Sequence, residues 1–508
     1  MFTPSTRRRF LQTAASGAIV SLGDLSFLSR LRPVSAAEAE LDPSVVRLQP
    51  EIEPLVRLIE ETPRDRLMEE IGSRVQKGLS YRDLLAALLL AGVRNVQPRP
   101  SVGFKFHAVL VVNSAHLASL SSPASDRWLP IFWALDHFKD SQARDVEEGN
   151  WTMAPVDEAA VPSAHRARQA FIDAMDNWDE AAVDAAVAGL ARTAGANEVF
   201  ELFFRYGARD FRSIGHKAIF VANSWRTLQC IGWQHAEPVL RSLAYALVNH
   251  QGEPNPATSD LTPDQPGRRN HDLASQIGDA WLEGKVDSGA TTEVLATLRE
   301  ASAGEAPEKV VELLNRGVAP QSIWDGLFDG AGELLVRQPG IVALHAATTT
   351  NALYFAYGAS GDDATRRWLL LQNASFLPLF REAMRSRGEV RDEKIDALEP
   401  AEVAADSAGA IEEIFADVSS DRIRAARKML GYLESGGKSK ELIDAARRLI
   451  FLKGTNAHDY KFSAAVLEDY YHASPAWRNR LLASSAMLLR GTGDRDNDLV
   501  ARTRAALT

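Results

Sequence analysis

The chain repeats itself. Gly103–Leu120 reads GFKFHAVLVVNSAHLASL and Gly340–Ser360 reads GIVALHAATTTNALYFAYGAS, so His-Ala-x-x-x-x-Asn occurs twice, as His107 to Asn113 and as His345 to Asn351. A chain made of two copies of one unit folds differently in kind from a single domain of equal length, so this self-similarity constrains every other reading. Further matches extend it. Gly78-Leu-Ser-Tyr answers Gly317-Val-Ala-Pro, and Arg127-Trp128-Leu129 answers Arg367-Trp368-Leu369. A constant separation of 242 then joins Asp179 to Asp421, Gly189 to Gly431, Gly195 to Gly437 and His216 to His458. A last pair, His235-Ala-Glu-Pro and His472-Ala-Ser-Pro, lies 237 apart, which places a five-residue length difference in one loop. Ala-rich helical sequence produces accidental matches as well, and that is the bland alternative.

The repeated stretches carry helix signals. Asp179 and Asp421 stand where an N-cap belongs, each ahead of an apolar periodic run that glycine closes at Gly195 and Gly437. A second helix is expected to follow each and run to His216 or His458, giving helical hairpins. Pro63 and Pro307 open the helices expected to begin the two copies. Phe104–Val112 is the best strand candidate, yet its counterpart Ala343–Tyr354 is Ala-rich, so a buried helix is expected at both. The expected fold is all-α: a tandem duplication of a multi-helix unit with pseudo-twofold symmetry. Copy one takes residues 37–290, copy two residues 291–508. Between them Gly252–Asn270, dense in Pro, Asn, Asp and Gly, reads as an exposed loop, with a helical pattern over Asp272–Glu283 after it. Arg385–Ser407, interrupted by Pro400, reads as a polar surface excursion.

Residues 1–36 read as a twin-arginine (Tat) signal peptide. Thr6-Arg-Arg-Arg-Phe-Leu-Gln12 fits the twin-arginine pattern, a mildly apolar segment runs from Thr13 to Leu31, and Val34-Ser35-Ala36 offers a cleavage site. Export by the Tat translocase in the folded state is the expectation, to the periplasm or the medium. Without this segment, which holds five arginines and one aspartate, the 57 basic and 67 acidic residues fall to 52 and 66, a formal net charge of −14. Nucleic acid is thereby disfavoured as a partner, because phosphate binding needs a positive surface. No run of 18 apolar residues follows, so no membrane span is expected in the mature chain. The single cysteine, Cys230, cannot form an intramolecular disulfide.

Chemistry is sought first among the histidines that the repeat pairs: His107 with His345, His216 with His458, and His235 with His472. Imidazole is the commonest ligand for zinc, copper and iron and a general base near neutral pH. If the copies face each other, equivalent rings converge at the pseudo-twofold axis; otherwise each copy holds its own three-histidine site. His107, His345, His235 and His472 are the candidate metal ligands. His216 and His458, with Asp210 and Asp459 as carboxylate partners, are the candidate catalytic residues. Asn113 and Asn351 are the candidate cofactor- or substrate-orienting residues. A histidine beside alanine on a helix can equally do no more than hydrogen-bond a neighbouring turn. His116, His137, His165, His250 and His271 lack a counterpart and are left out of the site. Gly431-Tyr-Leu-Glu-Ser-Gly-Gly-Lys-Ser439 misses the phosphate-loop pattern by one position, and no zinc-protease, nucleophile-elbow, haem-attachment or dinucleotide motif occurs.

Val342–Leu353 and Ala457-His-Asp-Tyr-Lys-Phe-Ser-Ala-Ala465 resemble two short patches of the questin oxidase-like family. The resemblance covers part of copy two and, more faintly, copy one. It implies a mostly helical protein linked to Baeyer–Villiger-type oxidation of polyketide anthraquinones, with His345 and His458 as the residues carried over. That family's reduced nicotinamide cofactor is absent outside the cytoplasm, a departure that export creates. The expected function is a metal-assisted oxidoreductase acting on a small organic substrate, with iron, copper or zinc in a histidine-lined pocket. One alternative is a non-catalytic helical-repeat binding protein of the cell envelope, for which the paired histidines would be scattered. A hydrolase with a His-Asp dyad is another.

Overall fold

The computed structural model describes residues 44–98, 106–248 and 253–508. The expected signal peptide at 1–36 lies outside these residues, as do Phe104, Lys105 and His250. Among the described residues, eleven α-helices make the first half: α1 (Glu53–Glu61), α2 (Arg64–Gln76), α3 (Tyr81–Asn95), α4 (His107–Leu120), α5 (Leu129–Glu147), α6 (Ala164–Asn177), α7 (Glu180–Thr193), α8 (Ala196–Gly207), α9 (His216–Ile231), α10 (Ala236–Val248) and α11 (Gln265–Ala274). Eleven more make the second: α12 (Ser288–Glu300), α13 (Glu305–Asn315), α14 (Pro320–Arg337), α15 (Ile341–Ala359), α16 (Asp363–Arg385), α17 (Ser407–Val418), α18 (Arg422–Glu434), α19 (Ser439–Lys453), α20 (Ala457–His472), α21 (Arg478–Ser484) and α22 (Leu499–Ala506). Among the described residues the only β pairing is one isolated bridge between Lys285 and Val318. The protein is all-α.

The two halves present their helices in the same order. Asp179 and Asp421 cap α7 and α18, each accepting a backbone N–H three residues on at 3.0 Å, and this fixes where both helices begin. Packing repeats as well. α4 lies against α3, α5 and α9, and α15 lies against α14, α16 and α20. An ion pair ties α1 to α3 through Glu60 and Arg94 at 2.6 Å. Exactly 239 positions later, Arg299 and Glu333 tie α12 to α14 at 2.7 Å with the signs exchanged. The terminal helices are traded between halves: α11 packs on α13 and α16, while α22 packs on α2 and α5. Arg502 of α22 holds Glu69 of α2 through two hydrogen bonds of 2.8 Å.

Four of these helices form the middle. α4 touches α9, α9 touches α15, α15 touches α20 and α20 closes the ring on α4. α4 and α15 are apolar nearly all round, which suits a helix covered on every side rather than one with a solvent face. Val109, Val111 and Val112 in α4 and Thr348, Thr349 and Thr350 in α15 are all buried. Their β-branched side chains disfavour a helix by only a few tenths of a kcal/mol each, roughly, so burial overrides propensity here.

Several boundaries differ from those the sequence indicates. α1 and α12 precede the helices at Pro63 and Pro307, so those two do not begin their halves. His216 and His458 do not end the helices after Gly195 and Gly437; they start the next ones, α9 and α20. α7 packs mainly on α6 and α10, so the expected hairpin with α8 is minor. Residues 265–270 belong to α11 rather than to a loop, and Asp272–Glu283 is broken after Ala274, with only a short 3₁₀ turn at Trp281–Glu283. Arg385–Ser407 does connect α16 to α17, and within it only the turn Ile395–Ala397 is helical.

One core carboxyl stands out. Asp329 in α14 is fully buried and neither oxygen has a hydrogen-bond partner. Burial pushes its pKa well above the usual carboxylate range; Asp325 one turn away adds to the shift and Arg480 opposes it. The folded state therefore holds this proton more tightly than the unfolded chain. Its contribution to stability is full below about pH 4, the unfolded carboxyl's pKa, and is lost as pH rises through the folded value. Asp329→Asn removes the titration. As pH rises above about 4 the wild type is expected to lose stability relative to the variant, by up to about 1.4 kcal/mol per pH unit until the folded carboxyl ionises, read from urea midpoints. Parallel pH profiles for the two proteins would contradict it.

Candidate metal centre

Each of the four central helices delivers one histidine to the same end of the bundle. His107 is the first residue of α4 and His216 the first of α9; His458 is the second of α20, and His345 lies in the second turn of α15. The Nε2 atoms of His216 and His345 are 2.9 Å apart, and those of His107 and His216 are 3.4 Å apart. The His458 ring centroid lies 4.8 Å from that of His107 and 5.4 Å from that of His345. His107, His345 and His458 each offer a nitrogen within 4.8 Å of the others.

Tautomers follow from the neighbours. His216 Nδ1 lies 2.6 Å from the Ser213 carbonyl and His345 Nδ1 lies 2.6 Å from the Ile341 carbonyl. A carbonyl oxygen only accepts, so both Nδ1 atoms carry the proton and both rings direct an Nε2 lone pair at the other. Burial first, and then Lys461 and the neighbouring imidazoles, hold His107, His216 and His345 well below the ordinary imidazole pKa. His458 is lowered to about 4, again chiefly by burial. All four are neutral at pH 7. Two lone pairs 2.9 Å apart among buried rings repel unless a positive charge lies between them, and a metal cation is one charge that neutral imidazoles with free Nε2 donors are able to hold.

The chain strains its backbone to build this. Ser213, Ile214 and Gly215 have φ of 57°, 46° and 79°, three successive residues in the left-handed region. This turn aims the Ser213 carbonyl at the His216 ring and starts α9. For Ser213 and Ile214 such a conformation costs on the order of 1–2 kcal/mol each, and strain of this kind gathers at functional sites. Gly215 is also required for space, since a Cβ there would stand 2.0 Å from Thr349 Oγ1 on α15. The second half starts α20 differently, with Asn456 and Asp459 forming a capping box.

Beneath the histidines the same four helices present matching layers. Lys461 reaches up from one turn below His458, its Nζ 3.3 Å from His107 Nε2, and burial lowers its pKa to about 7. Next come Asn113 and Asn223, whose side chains are 3.3 Å apart, and Asn351, which donates to Glu468 and Asp469 at 2.8 and 2.7 Å. Arg226 donates to Asn351 and pairs with Glu468, the residue 242 positions on from it, at 2.7 Å. Residues that meet do so in the same sequence on all four helices, so the four run in one sense. Asn113, Asn223, Asn351, Arg226, Thr348 and Lys461 line a small chamber of about 10 Å³, room for about one water molecule.

The structure thus brings together His107, His216, His345 and His458, with Asn113 and Asn351 lining the chamber below, and it does not bring in the other two histidines. His472 is fourteen residues from His458 on α20, which is about 21 Å along a helix, and its ring lies tilted against Tyr354, beside Glu468 and Asp469. His235 sits in the turn before α10 and lines a separate surface cleft with Gln234, Glu237 and Arg192. Neither is a ligand of the cluster. The two carboxylates are also placed differently from expectation. Asp210 receives Lys217 Nζ on both oxygens at 2.8 Å, and Asp459 caps α20 and receives Arg490 at 2.7 Å.

Sequence reasoning passed over Lys461's contact, and Asn223, Arg226 and Glu468 entirely. Arg226 and Glu468 do hold the 242-residue register, but a comparison of identities scores their opposite charges as a mismatch. His137, set aside for want of a counterpart, stacks on Trp133, and its ring helps depress His458. The chain matches no protein-family model, no curated protein and no solved structure.

Proposed function

We propose that the protein binds one divalent transition metal through His107, His216, His345 and His458 and uses it in an oxidation or reduction of a small molecule. The observation that carries the metal is the 2.9 Å approach of two Nε2 lone pairs whose Nδ1 protons are committed to backbone carbonyls. Imidazole donors without thiolate or carboxylate suit copper, iron and zinc. Neutral ligands leave the ion's charge uncompensated and so favour its lower oxidation state, and a redox-active ion held this way is an oxidant. Bound there, the metal would supply electron transfer or Lewis acidity; the chain's residues fix the rings, exclude water and offer Lys461 and Asn113 as polar contacts.

The convergence of four paired histidines favours this over a helical-repeat scaffold, for which scattered rings were expected. The shared helix order, the sign-exchanged ion pairs and the traded end helices support a doubled ancestral unit whose two halves complete one site. Export through a Tat-type leader at 1–36 fits a metal inserted before translocation. The resemblance to the questin oxidase-like family touches His345 and His458, both members of the cluster. Elemental analysis with electron paramagnetic resonance of the native exported protein is the test. One equivalent of copper or iron that cycles between oxidation states is expected; zinc alone overturns the redox role, and no metal overturns the centre.

A further inference from the structure

The far end of α20 carries a second convergence. His472 lies three and four positions after Asp469 and Glu468, the spacings that set helical side chains side by side, and each of the three offers a ligand atom within 4.8 Å of the others. The neighbours hold the carboxylates from one side. Asn351 of α15 donates to Glu468 Oε2 at 2.8 Å and to Asp469 Oδ1 at 2.7 Å, and Arg226 of α9 donates to Glu468 Oε2 at 2.7 Å. Every hydrogen bond that these two side chains accept falls on those two oxygens, so Glu468 Oε1 and Asp469 Oδ2 are left for another cation. The His472 ring has no hydrogen-bond partner, and burial lowers its pKa, so a neutral imidazole offers its lone pair. Hydrogen bonds that fix a carboxylate by one oxygen are what the outer partners of a metal's ligands supply.

Charge points the same way. Asp469 is 3% exposed, and burial, with Glu468 beside it, holds its carboxyl well above the ordinary range although Asn351 and Arg226 oppose the shift. Behind His472, Asp325 accepts the Ser474 N–H and Gln321 Nε2 on Oδ1, and Gln321 also donates to the His472 carbonyl. Asp325 Oδ2 is buried with no partner. Arg226 and Arg447 both act on Glu468, while Asp469 and Asp325 have no ion pair of their own.

We propose that Glu468, Asp469 and His472 bind a second divalent metal ion, manganese or zinc, with water filling the positions toward solvent. Two carboxylates and one imidazole make a harder donor set than four imidazoles, and these ions suit it. The Glu468 side chain is 29% exposed, so the ion has an open side at which a substrate oxygen exchanges for water. Ligands about 2.1 Å from one ion stand about 3 to 4 Å apart, and rotation of Glu468 and His472, both partly exposed, closes the set. The site does not depend on the histidine centre.

The test is zinc counting by equilibrium dialysis, with manganese(II) followed by electron paramagnetic resonance. Asp469→Asn keeps the side chain's shape and an Oδ1 that accepts from Asn351, and it is expected to bind one zinc fewer per chain than the wild type. That difference holds in either case: two falls to one if the four histidines bind a metal, and one falls to none if they do not. His345→Ala separates the two readings, because it removes the other ion and is expected to keep one manganese per chain. His472→Ala is expected to weaken manganese by more than about 100-fold, since loss even of a group that only orients a ligand costs about 10–100-fold. Equal zinc counts in wild type and Asp469→Asn, or an unchanged manganese affinity in His472→Ala, overturns the site. Should Asp469→Asn not fold, His472→Ala, at a partly exposed position, decides alone.

Discussion

His345→Ala is expected to weaken metal binding by more than about 100-fold, because removal even of a residue that only orients a ligand costs 10–100-fold. Metal bound to the folded state alone stabilises it by about 4 kcal/mol at a thousandfold excess over Kd, and a 100-fold weaker Kd removes about 2.7 kcal/mol of that. The comparison to make is chemical denaturation of wild type and variant with and without copper or zinc. Without metal the variant loses packing contacts but is relieved of the lone pair that faces His216 at 2.9 Å. Its metal-free midpoint should therefore lie close to the wild type's, and the gap should open only when metal is added. His235→Ala serves as a control: it stands away from the cluster, in a separate surface cleft, so it should retain the full metal-dependent gain. A gap of equal size with and without metal would mean that His345 is core packing and nothing more.

Gly215→Ala carries the second large effect. A side chain at φ 79° costs about 1–2 kcal/mol, and forcing a Cβ to 2.0 Å from Thr349 Oγ1 adds about 1–3 kcal/mol of overpacking. The sum, about 2–5 kcal/mol, should appear as a lower denaturant midpoint with an unchanged slope. Gly78→Ala provides the contrast. Its φ is 98° but nothing lies within 4 Å of the added Cβ, so only the backbone part, about 1 kcal/mol, is expected. Thr349 is four residues past His345, so any shift that makes room at Gly215 also moves α9 against α15. Metal affinity should drop in Gly215→Ala and not in Gly78→Ala. Equal destabilisation in the two variants would show that the close approach at Thr349 is immaterial.

Much of this was legible in the residues, for identifiable reasons. Identities at a constant spacing exposed the doubled helix order, and the two aspartate caps located α7 and α18, because capping is a local interaction. His107, His345, His216 and His458 were found by pairing alone. Pairing could not say which of the paired residues share a layer, which is why His235 and His472 were grouped with them. The length of α20 separates His472 from His458, and reading Ala457–His472 as one helix makes that separation visible. Asp210 and Asp459 were assigned to histidines by proximity in sequence. In three dimensions a nearby lysine and a helix cap have the stronger claim, since a buried ammonium and free backbone N–H groups both demand a carboxylate. Glu60 and Arg94 against Arg299 and Glu333 escaped because exchanging both signs preserves an attraction while erasing the identity.

X-ray absorption at the metal edge of the native mature protein addresses the shared centre most directly. The account predicts four nitrogen neighbours near 2.0–2.1 Å, roughly, with the outer scattering of imidazole rings and at most one further light ligand. Sulfur neighbours, an oxygen-dominated shell, or fewer than three imidazoles would contradict it.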